Sequence, residues 1–138
     1  MDIWSAVFSP LGPDGYYAPL FDKLTGEISN DVAAYWKEHY DLLAYMQRNW
    51  TTLGPKIVDK LHIYTGDMDT YYLDVGVVPL GRWMQQTTDP HHPGFFMYGD
   101  RQPHCWSGPV TPAERLREMA QYVLRKQPEG VTAGWWGY

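Results

Sequence analysis

Apolar residues in this chain fall into short runs separated by polar, Gly- and Pro-rich stretches, and the spacing inside each run predicts an element. Ile3, Trp4, Ala6, Val7 and Phe8 form a run halted by Ser9-Pro10, the pattern of a short buried strand. Residues 10–30 carry Pro10, Gly12, Pro13, Asp14, Gly15, Pro19 and Gly26. They predict a long loop, and loops of that length are often functional, so a lid or pocket wall is expected there. In residues 31–50, Val32, Tyr35, Trp36, His39, Leu42, Leu43, Met46 and Trp50 recur at three- and four-residue steps. That predicts one helix capped by Asn30 or Asp31, with Gly54-Pro55 as the stop signal beyond it.

Lys60 to Thr65 reads as a strand ended by Gly66-Asp67. Over 70–87, Tyr72, Val75, Val78, Leu80 and Trp83 mark one helical face, with a kink or break expected at Pro79. Phe95 to Tyr98 predicts a third strand and Gly99 to Gly108 a loop. Thr111-Pro112-Ala113-Glu114 is a capping box with Pro at the first helical position, and Leu116, Met119, Ala120, Val123 and Leu124 supply the apolar face of the last helix.

Strands alternating with helices predict an α/β fold with three mainly parallel strands and flanking helices. Parallel strands need cover on both faces, and nothing precedes the first strand to supply it. Residues 1–138 therefore read as one incomplete domain, the C-terminal part of a larger α/β sheet.

Composition narrows the function. The net charge is −5 and the basic residues form no stripe, so no nucleic-acid partner is expected. No apolar run approaches transmembrane length, so no membrane partner is expected either. Met1-Asp2-Ile3-Trp4 has neither the basic nor the apolar region of a secretory leader. The single cysteine, Cys105, excludes an internal disulfide. Seven Trp and eleven Tyr suit either pocket walls or an aromatic core, and residues 128–138 form an aromatic tail with Trp135, Trp136 and Tyr138.

The chemistry concentrates after the second and third predicted strands. In open α/β sheets, sites form beyond the carboxyl ends of the strands. Asp67 and Asp69 follow one strand and His104 follows the next, so an acid and a histidine can meet at one edge. A carboxylate that accepts an imidazole N–H frees the other ring nitrogen to take a proton. Asp67 and Asp69 could equally cap the following helix, and His104 could be a loop histidine bonded to backbone. Cys105 beside His104 could be a thiol nucleophile or a small apolar loop residue. Asp67, Asp69 and Asp74 lack the remaining ligand positions of an EF-hand loop, since Tyr71 and Tyr72 stand where Asp or Asn and Gly are needed. Asp89, His91 and His92 have metal-ligand chemistry but sit between prolines, as in a solvated turn. No metal and no cofactor is expected.

"KLHIYTGDMDTYYLD" with "FFMYGDRQPHCWSG" resembles the C-terminal half of α/β-hydrolase-fold esterases, the group near esterase D and S-formylglutathione hydrolase. The resemblance runs from about residue 2 to about 126. In that family a strand precedes a Gly-x-x-Asp-x-aromatic segment bearing the acid, and Gly66 to Tyr71 matches it, which implies Asp69 as the acid with Asp67 in reserve. A later strand precedes a Gly-rich loop with His, a small residue and an aromatic, which His104-Cys105-Trp106 matches. The resemblance implies hydrolysis of a small-molecule carboxylic ester or thioester through an acyl-serine, with Trp106, Tyr71 and Tyr72 as pocket walls. The departure is the nucleophile. Ser5, Ser9, Ser29 and Ser107 are the serines here, and none lies in Gly-x-Ser-x-Gly. The chain then supplies the acid and histidine of a triad and is close to inactive alone. The alternative is a non-catalytic interaction or ligand-binding domain with an aromatic surface, in which Asp69 and His104 are replaceable.

Overall fold

The computed structural model describes residues 2–131; most of the aromatic tail, with Trp135, Trp136 and Tyr138, lies outside the described residues. The chain mixes helices with a two-stranded parallel sheet, an α/β arrangement. Its contacts group into two compact units, Met1–Lys60 with Arg82–Pro93, and Leu61–Gly81 with Gly94–Tyr138.

The first unit is helical. The run expected to be a buried strand is helix α1, Asp2–Phe8, so the sheet has two strands among the described residues rather than three. The reason lies in the spacing. Ile3, Trp4, Val7 and Phe8 fit one helical side as well as a continuous strand run, and an apolar stretch this short does not distinguish the two. Trp4 and Phe8 stack at 5.5 Å, a four-residue contact that only a helix brings together. Ser5 is the buried residue of α1, while Ile3 and Val7 are exposed.

The helix expected over 31–50 is two helices, α2 (Asn30–His39) and α3 (Leu42–Ile57). Asp41 separates them. Its carboxylate accepts the Ala44 N–H at 3.0 Å and starts a new helix, which a three- and four-residue apolar rhythm cannot reveal. Ser29, not Asn30 or Asp31, caps α2. Gly54-Pro55 lies inside α3 rather than ending it, and the distortion falls at Asn49, with φ −119° and ψ 15°. A Cβ on Gly54 would lie 2.9 Å from both Pro90 and the Trp50 ring, so this close packing requires the glycine. Trp50 meets Trp83 edge to face at 5.0 Å and donates its indole N–H to the Pro90 carbonyl at 3.0 Å. Val32, Ala44, Met46, Trp50 and Met84 form the buried core. The 10–30 loop is pinned by bridges between Leu11 and Tyr17 and between Phe21 and Ile28, and with Asp2 and Ser5 it lines a cleft of about 480 Å³.

The second unit is built on β1 (His62–Met68) and β2 (Phe95–Pro103), paired in parallel from His62↔Phe95 to Gly66↔Gly99. Parallel strands need a crossover, and the connection holds helix α4, Asp74–Met84, which starts later than expected and runs through Pro79. Beyond Gly66 the register shifts and Met68 pairs with Pro103. Two steps on β1 are thus matched by four on β2. The two extra residues fall within Asp100 to Gln102, where Arg101 has φ +54° and the strand bulges, so β2 extends to Pro103 where a loop was expected from Gly99.

Helix α5, Pro112–Arg125, has the expected capping box: Thr111 Oγ accepts the Glu114 N–H and the Glu114 carboxylate accepts the Thr111 N–H. Its packing differs from the apolar pattern. Arg115 and Tyr122, seven residues apart on one helical face, contact Tyr64 and His62, two apart on one strand face. Leu116, Met119 and Val123 are exposed instead.

Candidate active site

β1 and β2 run parallel, so the loops leaving them emerge at the same edge of the sheet. Asp69 is the first residue after β1 and His104 the first after β2. His104 Nδ1 lies 3.0 Å from both carboxylate oxygens of Asp69. An ionised carboxylate only accepts, so Nδ1 carries the proton, and Nε2 is the nitrogen that holds the lone pair in the neutral form of the ring. The Asp69 side chain is 6% exposed and that of His104 is 35% exposed. The acid is shielded while the imidazole reaches solvent, the asymmetry that a general base needs. Among the described residues no group hydrogen-bonds to Nε2.

Asp69 is held by its own turn as well. Its Oδ1 accepts the Tyr71 N–H at 2.8 Å, and its carbonyl accepts the Tyr72 N–H at 3.0 Å. The carboxylate thus orders a turn ahead of α4 and serves His104 at once; it does not cap the helix, which begins at Asp74. His104 opens a turn closed by the Trp106 N–H on the Pro103 carbonyl at 3.3 Å, with Cys105 at φ +62°.

The hydrogen bond from His104, seconded by the Tyr71 N–H, holds the Asp69 carboxyl below its ordinary value of 3.8, against burial, which acts the other way. A depressed carboxyl pKa stabilises the fold above the unfolded value and loses that contribution as pH falls through the folded one. The urea midpoint of Asp69→Asn should therefore lie below wild type at about pH 6, and the gap should narrow as pH falls below the ordinary carboxyl value of 3.8. A gap that stays the same below that value contradicts this.

The remaining expected site residues separate. Asp67 is exposed on the bulged end of β1, and its carboxylate makes no hydrogen bond to His104. Tyr71 lies edge to face against His104, ring centroids 4.8 Å apart. Tyr72 is 77% exposed at φ +57°. Trp106 is half-buried against Gly99, where a Cβ would come within 2.9 Å of its ring. Cys105 is exposed. Ser9 Oγ accepts the Trp36 indole N–H, Ser29 caps α2, and the Ser107 carbonyl accepts Arg115 Nε–H.

His91 Nδ1 pairs with the Thr87 carbonyl at 2.8 Å and braces its own turn, while His92 Nε2 accepts the Asp59 N–H and ties that turn to the segment after α3. No group of three or more His, Cys, Asp or Glu that could hold a metal ion occurs among the described residues. No described helix is long and apolar enough to cross a membrane.

Arg115 and Tyr64 carry no signal in the sequence. They stand 51 residues apart, one in a strand run and one in a helix, yet the guanidinium donates to the Tyr64 hydroxyl at 2.6 Å. The chain matches no family model, no curated protein and no solved structure.

Proposed function

We propose that this chain carries the acid and the histidine of a serine hydrolase acting on small-molecule carboxylic esters or thioesters, with the serine supplied from outside these residues. The observation that carries the reading is the Asp69–His104 hydrogen bond at the common edge of two parallel strands. In this reading the sheet is the C-terminal part of an α/β-hydrolase sheet.

Asp69 holds His104 in the Nδ1–H tautomer and stabilises the imidazolium that forms when Nε2 takes the serine proton. His104 then returns that proton to the departing alkoxide or thiolate, and the acyl-serine is hydrolysed by water activated in the same way. Tyr71 stands against the imidazole as a pocket wall, and Trp106 and Tyr72, in the same two loops, are the other pocket-wall residues of this reading.

The coding frame upstream of the Met1 codon tests the proposal. It is expected to stay open and to encode Gly-x-Ser-x-Gly after a strand pattern. The longer product should react covalently with a fluorophosphonate, which labels activated serines. A stop codon just before Met1, or no labelling, ends the serine mechanism for this chain acting alone.

A second reading, a non-catalytic binding domain, is favoured by the aromatic surface. Trp4, Tyr16, Tyr45, Tyr71 and Tyr72 are all more than half exposed. It requires that Asp69 and His104 be replaceable without loss of function.

A further inference from the structure

We propose that Arg115 is a positioning residue for the Asp69–His104 pair, its guanidinium tying the loop behind His104 to the strand that leads into Asp69. The inference rests on the catalytic reading of that pair. Arg115 Nε donates to the Ser107 carbonyl at 2.8 Å, three residues after His104. Its Nη1 donates to the Tyr64 hydroxyl at 2.6 Å, five residues before Asp69, and also pairs with Glu118. The guanidinium carbon lies 4.0 Å from the centroid of the Tyr64 ring. One rigid group therefore grips both chain segments that end in the pair.

Two features show that this place is built for a guanidinium. The Arg115 side chain is only 12% exposed and its bond to the Tyr64 hydroxyl is part-buried, while its bonds to Ser107 and Glu118 lie at the surface. Gly108 sits beneath it at φ +100°, and a Cβ there would come within 2.2 Å of Nη2 and 3.2 Å of the Tyr64 ring. Only a glycine admits both the backbone turn and the guanidinium. A lysine has one ammonium on a flexible stem and cannot hold the fixed fork that reaches Ser107 and Tyr64 together.

The experiment is ¹H–¹⁵N NMR of the His104 ring in the intact chain, comparing wild type with Arg115→Lys, Tyr64→Phe and Asp69→Asn. Wild type should show a slowly exchanging proton on Nδ1. Asp69→Asn should lose it. Arg115→Lys, with its backbone amide spectrum still dispersed, should exchange that proton at least about tenfold faster, because a charged hydrogen bond no longer restrains the loop. Tyr64→Phe keeps the ring and removes only the hydroxyl acceptor, so it should move exchange the same way by less. It decides the matter if Arg115→Lys does not fold. Wild-type exchange in folded Arg115→Lys, or in Tyr64→Phe where that variant decides, overturns the role of Arg115 and leaves the pair intact. A wild-type spectrum with no Nδ1 proton, unchanged in Asp69→Asn, overturns the pair and this proposal with it.

Discussion

Replacing His104 by Ala should lower ester turnover about 10⁶-fold in the serine-bearing protein, and Asp69→Ala should lower it about 10⁴-fold. The order follows from the geometry. In the proposed reading His104 would handle the proton itself, through a ring nitrogen that no described residue occupies. Asp69 would act only through Nδ1, fixing the tautomer and steadying the imidazolium. Losing the base removes proton transfer altogether, whereas losing the acid leaves some histidine in the useful tautomer. The double variant should be little worse than His104→Ala alone, because the two residues work as one unit. Asp67→Asn is the control. Its carboxylate is exposed and makes no bond to His104, so turnover should stay within about twofold of wild type. The measurement is kcat and kcat/KM on an activated ester such as a p-nitrophenyl ester. If His104→Ala and Asp69→Ala both stay within about tenfold of wild type, the catalytic reading fails and the binding-domain reading stands.

The second large effect concerns the backbone that aims the pair. Gly66→Ala should destabilise the second unit by about 3 kcal/mol, at the upper end for an added methyl group in a packed site. A Cβ at Gly66 would lie 2.1 Å from the Gln102 carbonyl oxygen and 2.6 Å from that of Pro103. Both are backbone atoms, so no side chain can swing away to make room. They stand there because β2 bulges after Gly99 and rejoins β1 at Met68↔Pro103, just before His104. The methyl group would therefore push on the segment that delivers His104, three residues ahead of the acid it must meet. Urea unfolding followed by circular dichroism should show a lower midpoint at unchanged slope. A shift under about 0.5 kcal/mol would mean that the bulge yields and that Gly66 is not needed for the close approach.

Much of the second unit was readable along the chain. Thr111-Pro112-Ala113-Glu114 announces the start of α5 because a capping box is local: every atom in it belongs to four consecutive residues. The placing of Asp69 and His104 at one edge needed only the order strand–helix–strand, since parallel strands send their following loops the same way. The first unit was less readable for an equally physical reason. The run Ile3 to Phe8 satisfies helix and strand patterns alike, and the Trp4–Phe8 stack and the contacts of Phe8 with Trp36 and Tyr40 accompany the helical choice. Between α2 and α3 the apolar rhythm never pauses, and the break rests on one aspartate taking an N–H.

What the sequence by itself determined is what local chemistry settles: the α/β alternation in the second unit, the capped last helix, and the acid and histidine placed after successive strands. The family resemblance already implied Asp69 over Asp67, but local chemistry did not separate them, and only the tertiary structure shows Asp69 meeting His104. Asp67 and Asp69 are two residues apart and alike in chemistry, and only the register shift beyond Gly66 and the turn that Asp69 closes on Tyr71 leave one shielded against the imidazole and the other in solvent. The same holds for Arg115. Its bonds join residues far apart in the chain, and a guanidinium becomes a clamp only where folding brings a carbonyl, a phenol and a bare glycine around it.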